Sequence, residues 1–283
     1  MSNFKNNEPI WINNDDTPED DTPKKQNNKK PGIFLATPVH SNLSIHYFLS
    51  VLSFQNRCFI NKTLLNVGIN KSSLVTQGRN LCVNDFFKPE NNPKTDYLLF
   101  IDSDIEFKHE TIMKMIDADK DVIAAPYPMK CITWDNIITA VKDQGITDKD
   151  TLKTIGCEWP IKADENNHLK LFENGIAEVE SVPAGCLLIK RHVFEKMMEE
   201  YQHLKINQPT NVNGNNTTHE WLYNFFDTYF DEKTGKYYGE DFNFCRLWKN
   251  IGGKVHAIMT ENVVHIGDYR YEGVPIHALK KVD

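Results

Sequence analysis

Short, wholly apolar runs alternate along the chain with longer segments whose apolar residues recur every three or four positions. This contrast separates buried strands from amphipathic helices. Gly32-Ile33-Phe34-Leu35-Ala36-Thr37-Pro38 predicts a first buried strand, stopped by its proline. A helix should follow, with Ile45, Phe48, Leu49 and Leu52 spaced to face the core. Leu64 to Gly68 predicts a second strand, and Thr76 to Phe87 a helix carrying Arg79 near its start. Tyr97-Leu98-Leu99-Phe100-Ile101 has no polar position and predicts a strand buried on both faces, ending at Asp102-Ser103-Asp104. Ile112, Met115 and Ile116 mark a helix, and Val122-Ile123-Ala124-Ala125 another strand. Strands alternating with helices predict an α/β fold, a mostly parallel sheet flanked by helices.

Beyond Pro126-Tyr127-Pro128 the pattern loosens, and residues 130 to 175 carry only weak helix signals. Ile176 to Val182 and Cys186 to Ile189 predict strands. Val193, Phe194, Met197, Met198 and Tyr201 then form one helix face, read as core packing and not as a cofactor box. Residues 205 to 219 read as a loop rich in Asn, Thr and Gly. Gly239-Glu240-Asp241 opens a helix with Phe244, Cys245 and Trp248 facing inward, closed by Gly252-Gly253. Val255 to Ile258 and Val263-Val264-His265 are the last two predicted strands. Residues 1–30 hold little apolar surface and read as a disordered or loosely docked tail, with Ile10-Trp11-Ile12 its one anchor. Residues 31–283 read as one domain whose pattern changes near residue 128.

Composition removes several function classes. A length of 283 residues with 40% hydrophobic content supports a sizeable core. The net charge of -7, without a basic stripe, argues against binding to nucleic acid or to an anionic membrane. The six cysteines contain no C-x-x-C pair and read as reduced core thiols of an intracellular, cytoplasmic protein. No apolar stretch reaches the length of a membrane span, and the N-terminus has no signal-peptide pattern.

The chemistry concentrates at Asp102-Ser103-Asp104. Nothing in a core would neutralise two carboxylates, so they should leave the sheet at its carboxyl edge, where open α/β folds bind ligands. Two carboxylates around a small residue suit a hard divalent cation whose free positions take phosphate oxygens. The alternative is a strand-to-helix turn in which Asp104 caps the next helix.

Four features fall in one order: Thr37-Pro38, Asp102-Ser103-Asp104, Glu240-Asp241 and His265. With the segments YLLFIDSDIEF, VPAGCLLIKRHVFEKM, YYGEDFNFCRLWKNIGGKV and VVHIG, residues 32 to 270 resemble the nucleotide-sugar glycosyltransferases of the GT-A fold, in particular the family-2-like group. The resemblance implies that Asp102 and Asp104 hold Mn2+ or Mg2+ against a donor diphosphate, with His265 completing the metal site. It implies Asp241 as the base that takes the acceptor's proton in an inverting enzyme. Thr37 and Pro38 would border the nucleotide, Arg79 the donor, and loop 183–186 the floor beneath sugar and acceptor. Ser103 lies inside the donor motif, and the resemblance implies a nucleotide-binding half to about 128 and an acceptor-binding half from about 129. The chemistry asks for these types independently: a cation stabilises the departing diphosphate, and a sugar hydroxyl needs a carboxylate base. Asp241 at a helix start has its ionised form favoured; Glu240 beside it is a second candidate.

Each assignment has a plainer alternative. Asp241 could be a helix N-cap, His265 a core histidine and Arg79 half of a surface ion pair. Trp134, Trp159, Trp221, Tyr237 and Tyr238 could stack on an acceptor sugar or pack the irregular regions. The implied function is transfer of a sugar from a UDP- or GDP-sugar to a hydroxyl of a glycan or glycoconjugate. The alternatives are a retaining transferase or a non-catalytic binder of sugar nucleotides or glycans. A base-modifying transferase acting on nucleic acid finds little support in the charge.

Overall fold

The computed structural model describes residues 11–14, 30–88, 95–163, 168–172, 174–212 and 215–270, with the backbone alone at 11–14, 210–212 and 215. The strands β1 (Trp11–Asn14) and β2 (Ile33–Val39) are followed by α1 (Ile45–Ile60), β3 (Leu65–Lys71) and α2 (Val75–Phe87). Then come β4 (Tyr97–Ile101), β5 (Ile105–Glu106), α3 (His109–Asp117) and β6 (Val122–Ala124). The region of weak pattern holds α4 (Trp134–Gln144), α5 (Lys149–Ile155) and β7 (His168–Leu171). After it lie β8 (Ile176–Val179), β9 (Cys186–Lys190) and α6 (Arg191–Glu200). Two hairpins follow, β10 (Thr210–Val212) with β11 (Asn215–Thr217) and β12 (Tyr229–Asp231) with β13 (Lys236–Tyr238). The chain closes on α7 (Glu240–Asn250), β14 (Val255–Ile258) and β15 (Val264–His265).

Among the described residues, nine strands form one sheet in the order β1-β7-β8-β14-β6-β9-β4-β2-β3. The pairings give β1, β2, β3, β4, β6, β7 and β14 one direction, with β8 and β9 reversed. This is the α/β, mostly parallel architecture that the alternation predicts. Strands from both sides of residue 128 interleave, since β9 sits between β4 and β6.

Alternating side chains of the central strands feed two cores. Phe34, Leu98, Phe100 and Leu187 point to one face, packed by Cys82 and Phe86 of α2, Phe194 of α6 and Phe244 and Trp248 of α7. Ile33, Leu35, Leu99 and Leu188 point to the other, packed by Tyr47, Phe54 and Cys58 of α1 and Met115 of α3. Val193, Phe194 and Met197 are fully buried, as the core reading of that stripe requires.

Several expectations are corrected. The strand does not stop at Pro38: β2 runs on to Val39, paired with β3. Beyond the Ala36–Phe100 pair β2 has no partner on the β4 side, so the missing N–H of Pro38 costs no ladder bond there. In α1 the predicted stripe is the wrong one. Ile45, Phe48, Leu49 and Leu52 are exposed, while Tyr47, Phe54 and Cys58, spaced seven and four residues apart, are buried. The helix is apolar on most sides, and the sheet covers only one stripe of it. The loop read at 205–219 contains the β10–β11 hairpin. Cys58, Cys82, Cys186 and Cys245 are buried thiols, but Cys131 is exposed and Cys157 half-buried, outside the core. Within the stretch read as a tail, β1, which holds two of the three anchor residues, pairs in parallel with β7; most of that stretch lies outside the described residues. No helix among the described residues is long and apolar enough to cross a membrane.

Candidate active site

The buried run of β4 delivers Asp102 and Asp104 to the sheet edge, and the turn splits them. Asp102 is held from within. Its backbone N–H donates to the Gly185 carbonyl at 2.9 Å. Both its carboxylate oxygens accept from Arg79, Nη1 to Oδ1 at 2.9 Å and Nη2 to Oδ2 at 2.9 Å. The third guanidinium nitrogen, Nε, donates to Glu240 Oε1 at 3.3 Å. Arg79 is therefore neither exposed nor a surface ion pair: its side chain is 3% exposed and lies over the Phe100 ring. Burial alone would lower its pKa, but Asp102 and Glu240 outweigh burial and raise it, so the charge is permanent. One guanidinium thus clamps the start of α7 to the end of β4.

Asp104 faces outward. It does not cap α3, whose N-cap is Lys108. β5 pairs antiparallel with β15, which sets His265 opposite Ile105 and beside Asp104. His265 Nε2 lies 3.5 Å from Asp104 Oδ2. His265 Nδ1 lies 2.9 Å from the Pro128 carbonyl. A carbonyl only accepts, so Nδ1 carries a proton and donates to it, which leaves Nε2 as the ring nitrogen that meets Asp104. Lys130 Nζ, not foreseen in the sequence, donates to the same Asp104 oxygen at 2.5 Å. Burial pushes Asp104 up, yet the hydrogen bonds from His265 and Lys130 outweigh it and hold the carboxyl at about 2.

The third acid stands apart. The N-cap of α7 is Gly239, with no side-chain cap, so the helix-cap alternative for Asp241 does not hold. Asp241 is half-buried, and its Oδ1 accepts from the Phe242 N–H at 2.8 Å. Burial first and then Glu240 raise its pKa to about 6, against a lowering by Arg79. Near neutral pH it is ionised yet basic enough to take a proton.

Tyr127, also missed, ties these parts together. Its hydroxyl accepts from the Gly185 N–H at 3.0 Å, and its ring meets His265 edge-on at 5.0 Å. Burial and then Asp102 push the phenol well above its ordinary value, so it stays protonated. A side chain at Gly185 would begin 2.3 Å from the Tyr127 oxygen; only glycine fits this floor, within the predicted loop 183–186. Its signal was the Pro126-Tyr127-Pro128 cluster following a buried strand, at the same sheet edge as Asp102. Of the remaining predicted residues, Ser103 accepts from the Ser44 N–H through its carbonyl at 2.8 Å. Thr37 is fully buried with its hydroxyl 2.6 Å from that of Tyr47, and half-buried Pro38 packs against Gly78, next to Arg79.

The divalent cation that the resemblance implies would find its ligands among these groups. Among the described residues no three His, Cys, Asp or Glu side chains cluster as a complete cation cage. Asp104 and His265 nevertheless fit a partial one: a carboxylate oxygen faces an imidazole nitrogen whose other nitrogen is anchored on a carbonyl, the usual support of a ligating histidine. Asp102 has both oxygens engaged by Arg79. A cation held by so few protein groups keeps positions for phosphate oxygens and water.

No family model and no curated protein matches the sequence. By structure the chain is similar to GalNAc-T7 with UDP, GalNAc and Mn2+, at 12% identity and a TM-score of 0.44, over 90% of this chain and 47% of that one. It is also similar to a glycosyltransferase involved in the glycosylation of the major capsid of PBCV-1, at 16% identity and a TM-score of 0.26, over 35% of this chain and 52% of that one. The chain spans about half the length of these two proteins. With such values, the functional reading rests on the site's own chemistry.

Proposed function

We propose that this chain is a metal-dependent glycosyltransferase of the GT-A type, moving a sugar from a nucleotide-sugar donor, a UDP- or GDP-sugar, to a hydroxyl of a glycan or glycoconjugate. The observation that carries the reading is the division of labour among the acids. Asp104 and His265 present a cation-binding pair, while Asp241, tuned to about 6, stands free of both Arg79 hydrogen bonds and the cation pair. Transfer to a hydroxyl needs both kinds of group: one to steady a leaving diphosphate, one to accept a proton.

When bound on Asp104 and His265, Mn2+ or Mg2+ supplies positive charge to the departing diphosphate. The chain's own residues do the rest. Pro128 orients His265, Arg79 fixes Asp102 and Glu240, and Tyr127 and Gly185 shape the floor. Asp241 Oδ2 is the proton acceptor, since Oδ1 accepts from the Phe242 N–H. Attack opposite the diphosphate makes the enzyme inverting. The β12–β13 hairpin carries exposed Tyr229 and Tyr237 and leads directly into Gly239-Glu240-Asp241, so an acceptor sugar has aromatic surface close in sequence to the base. A cleft of about 860 Å3, lined by Pro126, Trp159, Ile161, Leu169, Ile258 and Met259, offers a second apolar surface one residue from Tyr127.

The test is calorimetric titration of the full chain with UDP and with GDP, in Mn2+ and in EDTA. One nucleotide should bind in Mn2+ and lose at least tenfold in EDTA, and Asp104→Asn should abolish the difference. Equal affinity in both buffers would remove the cation role.

A further inference from the structure

Two nitrogens converge on one oxygen. Asp104 Oδ2 has Lys130 Nζ at 2.5 Å and His265 Nε2 at 3.5 Å. An ammonium at that distance occupies the same Asp104 oxygen that faces His265, so a cation taking that oxygen has to displace it.

The placement of Lys130 is built into two segments. On its own side, the Pro128 carbonyl is bonded by His265 Nδ1, and the Met129 N–H donates to the Glu158 carbonyl at 2.8 Å. On the far side, Gly267 follows His265 by two residues. A Cβ on Gly267 would begin 2.6 Å from Lys130 Cδ, 3.1 Å from Cγ and 3.2 Å from Cε. The absence of a side chain at Gly267 is what lets the aliphatic stem lie across the strand end and aim its ammonium at Asp104. The Nζ end remains half exposed, with 39% of the side chain open to solvent. Such a group is held in place yet released at little cost, because an ion pair between partly exposed partners is weak.

We propose that Lys130 is a resident cation that keeps Asp104 paired until a divalent cation displaces it, and that this displacement couples cation binding to diphosphate binding. The inference rests on the cation site proposed above and adds a residue and a linkage to it. Without a nucleotide, the incoming cation competes with the ammonium, and the freed lysine has only water to turn to. With a nucleoside diphosphate present, the ammonium gains an anionic partner, so the cation binds more tightly. By linkage the nucleotide gains the same factor from the cation. The site therefore loads cation and nucleotide together.

The experiment titrates Mn2+ into the full chain, following free Mn2+ by electron paramagnetic resonance, with and without UDP or GDP. The variants are Lys130→Met and Lys130→Met/His265→Ala. Without nucleotide, Lys130→Met should bind Mn2+ about two- to fivefold more tightly than the unaltered chain, the ratio that such an ion pair commands. The added His265→Ala should reverse that gain, which locates the ion. The factor by which nucleotide tightens Mn2+ should shrink in Lys130→Met. A structural role for Lys130 would weaken Mn2+ binding, so unchanged or weaker binding in Lys130→Met overturns the proposal. If Lys130→Met tightens Mn2+ but neither UDP nor GDP binds any variant, the competition stands and the nucleotide-sugar reading falls. If Mn2+ binds no variant under any condition, both fall.

Discussion

Replacing Asp241 by Asn should make the protein more stable and less active at the same time. The folded carboxyl titrates at about 6, raised chiefly by burial and then by Glu240. In the unfolded chain it titrates near ~3.9. The folded state therefore binds the proton more tightly, and the ionised form costs stability once the pH exceeds the unfolded value. The cost grows from about pH 4 and is complete above about pH 6. Roughly two units correspond to about 3 kcal/mol. Asp241 is only half-buried, and its place at the start of α7 favours its charge by about 0.5 kcal/mol, so about 2 kcal/mol is the expected net. Asn keeps an oxygen for the Phe242 N–H, so no other contact is sacrificed. Urea denaturation of both proteins at pH 4.5 and 7.5 reads the difference. The Asn form should gain about 2 kcal/mol at pH 7.5, a rise in Tm of roughly 4–8 °C, and only about a third of that at pH 4.5. Its turnover with an identified acceptor should fall by about 10²–10⁴-fold with nucleotide affinity kept, the pattern of a lost general base. A stability difference of the same size at both pH values, or a less stable Asn form at pH 7.5, refutes the burial argument. Full turnover refutes the base.

Arg79→Met strands the carboxylates of Asp102 and Glu240 and should cost about 3 kcal/mol by chemical denaturation. Arg79→Lys should recover only part of that, since an ammonium lacks the fork; two variants of wild-type stability would show that the clamp contributes nothing. Gly185→Ala drives a methyl toward the Tyr127 hydroxyl and should cost about 1–3 kcal/mol. The ring carbon Cζ would stand only 2.6 Å from that methyl, so Tyr127→Phe should not rescue it, and rescue in a melting experiment would mean that the hydroxyl alone was in the way.

How far the sequence shows this arrangement depends on the range of the interactions involved. β4 and β9 read clearly, because burial on both faces leaves an uninterrupted apolar run. The start of α7 was legible for the same local reason: glycine before two acids before an inward-facing stripe. α1 misled because an apolar surplus offers several stripes, and only the sheet selects among them. β5 and β15 are two residues each, too short for any period to register, yet their pairing sets His265 beside Asp104. Lys130 belongs to the site through contacts 26 residues back, to Asp104, and across to Gly267; nothing in its own neighbourhood marks it. Arg79 was visible as a residue but not as a clamp, since its partners lie 23 and 161 residues away.

The floor beneath the acids has a consequence for how such a chain can diversify. The polypeptide leaves the sheet edge at Tyr127 and Pro128 and returns at Gly185, and the two ends are pinned to one another by the Gly185 N–H on the Tyr127 hydroxyl. They are pinned again to the acid-bearing segments, by His265 on the Pro128 carbonyl and by the Asp102 N–H on the Gly185 carbonyl. Much of the stretch between, with α4 and α5, is an excursion that starts and finishes at one place. Among the buried residues of α4 and α5 only Ala140 appears, so these helices add little to either core. Insertions, deletions and wholesale exchange within α4 and α5 therefore leave the two pins and the acids where they are. The fold carries an interchangeable module fastened at both ends to a constant frame, and new recognition surfaces arise there without rebuilding the frame.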